Sequence, residues 1–226
     1  PPKSWNELAA ISALVQSKVV FDPDKRRPVL RSQSGDSRDP VGGYAFSIDP
    51  WLFEIMLLQS GGAMTNKEET KVLFDSEVSV DSLMWFVNAI SKGWGYRTQG
   101  YDHQNDFGAQ KVAFIITSSV SQKFMANKLN FPYGVAAVPG GEKRDVSILS
   151  GTNVCLFSGI GEERSRGAWD FIKWFNSPEI TARWAMNTFY VPTRRASLKL
   201  PKMQKYMREV EGGRAGIEQL KIGDME

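Results

Sequence analysis

The run Lys111-Val112-Ala113-Phe114-Ile115-Ile116 limits the fold more than any other feature of this sequence. A continuous apolar stretch rich in branched residues predicts a strand buried on both faces. Strands of that kind belong to sheets covered by helices on either side. The flanking segments supply those helices. Ser4-Trp5-Asn6-Glu7 is a capping box, in which Ser and Glu each satisfy a free amide of the first helical turn, and Leu8, Ile11 and Val15 continue one face to about Lys18. Asp49-Pro50 starts a second helix, which runs from Trp51 to Ser60 and stops at Gly61-Gly62. Asp75 or Ser76 caps a third, with Val80, Leu83, Met84, Val87 and Ile90 at helical spacing before Gly93.

The rest of the chain keeps alternating. Tyr44-Ala45-Phe46 and Val72-Leu73-Phe74 read as short strands, and the span 22–43 as a long loop. Trp94 to Phe107 reads as a polar, aromatic loop in which Trp94 and Tyr101 are candidate cleft walls. A helical pattern follows Thr117-Ser118-Ser119. Tyr133 to Pro139 and Ser147 to Phe157 predict two further strands, the second broken by Gly151-Thr152-Asn153. Helices follow over Glu162 to Asn176 and from Ser177-Pro178-Glu179 to about Met186. Thr188 to Thr193 is extended, and the tail from Leu198 is polar and mostly helical. Alternating strands and helices place the chain in the α/β class. A length of 226 residues suits one large or two modest domains.

Composition removes several functions. A net charge of +3 with scattered basic residues is unlike the dense stripe of a nucleic-acid binder. One cysteine, Cys155, and one histidine, His103, exclude a disulfide framework and any metal site rich in those ligands. Cys155 lies in the apolar run Val154-Cys155-Leu156-Phe157 and is expected to be a buried structural thiol. His103, within Tyr101 to Asp106, is expected in a loop. Nucleotide-binding loops, dinucleotide fingerprints and nucleophile elbows are absent from the sequence. No catalytic residue, cofactor or metal is therefore assigned, although a glycosidase's two carboxylates can meet without any sequence signature. No stretch approaches a membrane span, and the opening Pro1-Pro2-Lys3-Ser4 reads as the middle of a longer chain.

Aromatic and small polar residues gather at the ends of the predicted elements. Trp51 opens a helix, Ser118 and Ser119 follow the buried strand, Gly151 and Thr152 interrupt another, and Tyr190 lies between helices. Aromatic faces stack on sugar C–H groups, while small hydroxyls and free amides bind hydroxyl or phosphate oxygens. This is the equipment of a polar small-ligand cleft. Each residue also has a packing role open to it: Trp51 as a core staple, the serines as a helix cap, Gly151 as a bulge, Tyr190 as hinge packing.

In these segments the chain resembles the family-1 extracellular solute-binding proteins, which serve ABC importers of sugars and glycerol phosphates. The matching pieces occur in family order. They are Pro1 to Leu8, Trp51 to Gly62, Gln110 to Phe114, Phe131 to Ala136, Pro139-Gly140-Gly141, Gly151-Thr152-Asn153, Ala168 to Trp174 with Ser177-Pro178-Glu179, and Thr188 to Thr193. The resemblance implies a two-lobed, hinged periplasmic-binding-protein-like (type II) fold that is partial here. Residues 1–132 would form most of lobe two, 133–188 part of lobe one, and 189–226 the hinge crossing and return to lobe two. It also implies a ligand in the interlobe cleft, met by Trp51, Ser118, Ser119, Gly151, Thr152 and Tyr190. That ligand would be a carbohydrate or polyol, in the glycerol-phosphate branch a phosphorylated one. The partners implied are the importer's membrane subunits. The protein is expected to be a monomer outside the cytoplasm, anchored in its full-length form. A glycan-active enzyme and a ligand sensor are the alternatives. Three departures stand out: Ile48 in place of a second tryptophan, Ser150 in place of a first glycine, and Phe189 in place of the glycine before Tyr190.

Overall fold

The computed structural model describes residues 1–22, 27–30 and 41–222. Helix α1 (Trp5–Lys18) opens as its capping box requires, with the Glu7 amide donating to Ser4 Oγ at 3.1 Å. A hairpin follows, β1 (Val19–Asp22) antiparallel to β2 (Arg27–Leu30). Strand β3 (Gly42–Ser47) leads into α2 (Pro50–Gln59), with Asp49 at the N-cap and Pro50 in the first turn. Helix α3 (Glu77–Ser91), strand β4 (Gly95–Thr98), helix α4 (Asp102–Gly108), strand β5 (Val112–Ile115) and helix α5 (Ser121–Met125) complete the first part. Helices α6 (Glu162–Phe175) and α7 (Pro178–Thr188), a 3₁₀ turn (Arg195–Lys199), α8 (Pro201–Glu209) and α9 (Ala215–Ile222) form the second.

The α/β reading is borne out in a parallel sheet of order β4-β3-β5. Central β3 is buried along its whole length, and Tyr44 stands opposite both Gly95 and Phe114. Strand β5 is real but lies at an edge and is mostly half-buried, so burial on both faces belongs to β3 instead.

Trp85 of α3 is the hub of the core. Its ring meets Trp94 at 4.9 Å, Trp5 at 5.1 Å, Phe86 at 5.2 Å and Tyr44 at 5.8 Å, all steeply inclined contacts of the edge-to-face kind that aromatic quadrupoles favour. Gly43 allows α1 to lie directly on the sheet. A Cβ there would come within 2.3 Å of the Ser12 carbonyl oxygen and 2.5 Å of the Trp94 carbonyl oxygen. Gln59 fastens α1 and α2 to the segment that follows α5. It accepts from Trp5 Nε1 at 2.6 Å and donates to the Val146 carbonyl at 2.8 Å. A smaller core joins Ala182, Ala185, Met203 and Ile217 of α7, α8 and α9.

Several expectations need correction. Trp94 is a core residue, 7% exposed, and not a cleft wall. The span 94–107 holds β4 and α4, and His103 is buried in α4. Val72-Leu73-Phe74 makes one isolated bridge, Val72 with Thr65, in place of a strand. Tyr133–Pro139 and Ser147–Phe157 form no strand, because a strand needs a neighbouring strand to take up its backbone groups in a ladder and no described strand pairs with them. Cys155 sits in that unpaired stretch and is exposed. Of the span 22–43, read as a long loop, residues 23–26 and 31–40 fall outside the described residues, while the described part carries β2 and the start of β3.

Candidate functional site

Parallel strands end on the same edge, so the carboxyl ends of β3, β4 and β5 converge. The order β4-β3-β5 means that the chain turns to opposite sides of β3 when it leaves for β4 and for β5. In open α/β sheets the crevice at such a reversal, outside the strand ends, is where ligands bind. Three loops line it: Ile48-Asp49 after β3, Gln99-Gly100-Tyr101 after β4, and Ile116 to Val120 after β5.

The residues of this rim have defined environments. Ser47 donates its hydroxyl to Asp49, which holds the turn into α2. Trp51, in the first turn of that helix, is half-buried and rests against the main core, with part of its ring left open. Ile48 and Tyr101 stand out at 69% and 75% exposure. Tyr101 therefore keeps its place as a cleft-wall candidate, and Ile48 gives the rim an apolar side chain. Behind the rim, His103 forms a hydrogen bond with the Gly100 backbone while its Nδ1 has no partner. Burial lowers its pKa, and Asp49, Asp102 and Asp106 pull in the opposite direction. The Tyr96 hydroxyl donates to Asp106 at 2.9 Å, and burial first and that carboxylate second push its pKa well up.

Ser118 is exposed and Ser119 half-buried. Their carbonyls hold the turn, accepting from the Ser121 amide at 3.0 Å and the Gln122 amide at 3.3 Å. Neither serine hydroxyl is used by a group among the described residues, so both remain available. The helix that follows spans only Ser121–Met125 and adds little field for an anion.

Tyr190 reaches the same neighbourhood from the second half of the chain. Phe189 ends α7 in the left-handed conformation, at φ 63°, where the resembling family has glycine. Tyr190, 37% exposed, then lines a shallow surface recess with Val191, Tyr206 and Gly212. Gly212 lies so close to Gln122 that a Cβ would meet its Oε1 at 1.9 Å, and Gln122 Nε2 donates to the Ser119 carbonyl at 3.3 Å. The Tyr190 recess and the double-serine turn are thus linked through one glutamine. Gly151 and Thr152 stand apart: both are exposed, and a Cβ at Gly151 would meet no atom within 4 Å. Sequence reasoning passed over Gln104 and Thr117. The sequence gives no motif for them, only a polar residue on each side of the strand.

Among the described residues, no group of three or more His, Cys, Asp or Glu side chains could hold a metal ion. No described helix is long and apolar enough to cross a membrane.

Comparison with known proteins agrees with the fold. Residues 1–208 match the family model described as bacterial extracellular solute-binding protein. An sn-glycerol-3-phosphate-binding periplasmic protein, UgpB, of Yersinia pestis is 22% identical over 97% of this chain and 48% of its own. Among solved structures, UgpB from Mycobacterium tuberculosis in complex with glycerophosphocholine superposes with a TM-score of 0.79 at 20% identity, covering 100% of this chain and 53% of that one. The maltose/maltodextrin-binding domain MalE from Bdellovibrio bacteriovorus, bound to maltotriose, gives 0.73 at 14% identity, with 100% and 56% covered. The chain spans about half the length of the curated relatives it matches.

Proposed function

This chain belongs to the bacterial extracellular solute-binding proteins, and from that premise we propose that it forms part of the ligand-binding component of an ABC importer. Its ligand is a polyol or carbohydrate with oxygen acceptors, and glycerol phosphate esters are the first candidates. The observation that carries this reading is the rim itself: two uncommitted serine hydroxyls at the carboxyl end of β5, on the same edge as the half-open Trp51.

Binding here is stacking plus hydrogen bonding. Trp51, Tyr101 and Tyr190 offer aromatic faces. Ser118 and Ser119 offer hydroxyls. Gly151 and Thr152 join the site only when the extended stretch that carries them closes over it, which makes them contributions from the opposite lobe. In this division residues 1–132 form most of lobe two, 133–188 part of lobe one, and 189–226 cross back. Two bonds support the crossing: the Val135 amide donates to Glu211 and the Val138 amide to Gln219, at 2.9 and 2.7 Å. The half-exposed rings of Trp169, Phe171 and Trp174 on α6 form the face that the rest of lobe one covers. The protein performs no chemistry on its ligand, acts as a monomer outside the cytoplasm, and delivers to the importer's membrane subunits in an anchored full-length form.

The test is thermal-shift screening followed by titration of a full-length form against sn-glycerol 3-phosphate, glycerophosphocholine and maltotriose. A stabilising shift with one of them, lost in Ser119→Ala or Trp51→Ala, is the expected result. No shift with any of the three rejects the reading. The 226-residue chain alone is expected to bind more weakly.

A further inference from the structure

We propose that Gln104 is a positioning residue that makes Thr117 a third hydroxyl donor to the ligand; the inference rests on reading Ser118 and Ser119 as ligand groups. Gln104 of α4 is 6% exposed and lies directly beneath the double-serine turn. Its Nε2 stands 3.0 Å from Thr117 Oγ1 and 3.0 Å from Ser121 Oγ, and the two hydroxyl oxygens are 2.9 Å apart. The triangle closes the two ends of the segment that displays Ser118 and Ser119.

Counting protons gives the triangle a direction. The amide has two, and each goes to one hydroxyl oxygen. The hydroxyls have two more. One lies in the bond between them, so one is left over. Ser121 is 5% exposed, and its hydroxyl is enclosed, whereas Thr117 is half-buried at the rim. A spare proton on Ser121 would be a buried donor without an acceptor. Ser121 therefore donates to Thr117, and Thr117 turns its own proton outward, beside Ser118 and Ser119. Three adjacent hydroxyl donors suit an oxygen-rich acceptor such as a phosphate ester. An acceptor in place of the amide would reverse the whole arrangement, since a carboxylate takes both hydroxyl protons and leaves none for the ligand.

The experiment uses the 226-residue chain, with glycerophosphocholine titrated by NMR, which reads weak binding. Its phosphodiester keeps one charge across the pH range used. Thr117→Val should weaken binding about tenfold and Thr117→Ser should restore it. Gln104→Glu should weaken binding at least tenfold at pH 8 and recover only part of that loss at pH 5, since the neutral carboxyl donates one proton where the amide donates two. Taking each value as a ratio to the parent at the same pH removes the contributions of His103, Asp49, Asp102 and Asp106. Gln104→Met, which keeps the volume, should show a loss that does not change with pH. Parent-like binding by Thr117→Val, or a Gln104→Glu loss that is flat with pH, overturns the proposal. NOEs from the Gln104 side-chain amide protons to Thr117 and Ser121 are expected in the free protein, and their absence overturns the clamp independently of any ligand. A parent that does not bind glycerophosphocholine overturns the role of Thr117 as donor to it. A Ser119→Ala variant that binds like the parent, with Thr117→Val impaired, rejects the double-serine reading alone.

Discussion

Replacing Gln59 with Met should destabilise the chain by about 3–5 kcal/mol while leaving its volume nearly unchanged. Gln59 is 1% exposed, and both ends of its amide are in use. Its oxygen accepts the indole N–H of Trp5, itself only 7% exposed, and its nitrogen donates to the carbonyl of Val146, a residue that is 3% exposed. Methionine supplies neither group. A buried polar atom left without a partner costs about 1–3 kcal/mol. The indole has a single donor and no second choice, so its share lies in the upper half of that range. A carbonyl tolerates one lost bond more easily, so Val146 lies in the lower half. Gln59→Ala should cost at least about 2 kcal/mol more, because it also removes buried side-chain atoms and leaves a cavity. Equilibrium urea unfolding, followed by tryptophan fluorescence, measures both. The midpoint should fall with the slope preserved, since the surface exposed on unfolding stays the same. A Gln59→Met variant within 0.5 kcal/mol of the parent (about the ordinary scatter of surface substitutions) would refute the reasoning. It would mean that water or a backbone shift satisfies both groups.

Three further outcomes are expected. Gly43→Ala should cost about 3 kcal/mol by urea unfolding, because its methyl group would meet backbone atoms of Ser12 and Trp94 that cannot rotate away, whereas Gly134→Ala, with open space around it, should stay within about 0.5 kcal/mol. Stability should fall as pH drops below 6.5, because an unfolded His103 takes up a proton that the buried one, with its lowered pKa, resists; the loss should end once pH passes the folded value, and His103→Gln should flatten that part of the profile. Cys155 should react with a maleimide at the same rate with and without urea, and protection of the native thiol would contradict its exposure.

The parts of the fold that were legible in the sequence are those with local chemistry. Ser4 with Glu7 marks a helix start through an amide that its own hydroxyl satisfies, Asp49-Pro50 and Ser177-Pro178 mark theirs through a proline whose fixed φ suits the first turn, and the helices begin there. Strand β4 and helix α4 were missed because their signals are not local. Gly95-Tyr96-Arg97-Thr98 has strand formers only at Tyr96 and Thr98, too short an alternation to read alone, and is a strand because β3 offers it a complete ladder. Asp102 to Asp106 is polar throughout, yet it buries His103 and Gln104 against the rim. The opposite difference holds at 133–157, where the alternation is strand-like but no described strand pairs with it. Cys155 followed from the same mistake, since apolar neighbours bury a thiol only when something covers the neighbours. For the site, the aromatic and hydroxyl residues could be picked out as types at element ends. Which of them share an edge depends on the strand order, and no spacing along the chain encodes that.

Strand β3 also has a consequence for how this polypeptide reaches its native state. Both of its hydrogen-bonded edges are occupied by segments synthesised later, so Tyr44 waits first for Gly95 and then for Phe114. Until Gly95 has emerged, this strand, buried along its whole length in the finished fold, has no ladder at all, and α1 can only hold it loosely through the Gly43 contact. Such long-range parallel pairing is slow, because loop closure must precede any gain from the contacts. During chain growth Gly42–Ser47 is thus an apolar segment with both edges open. A chaperone that acts on this protein has its most valuable target there, in the interval that closes when Val112–Ile115 arrives.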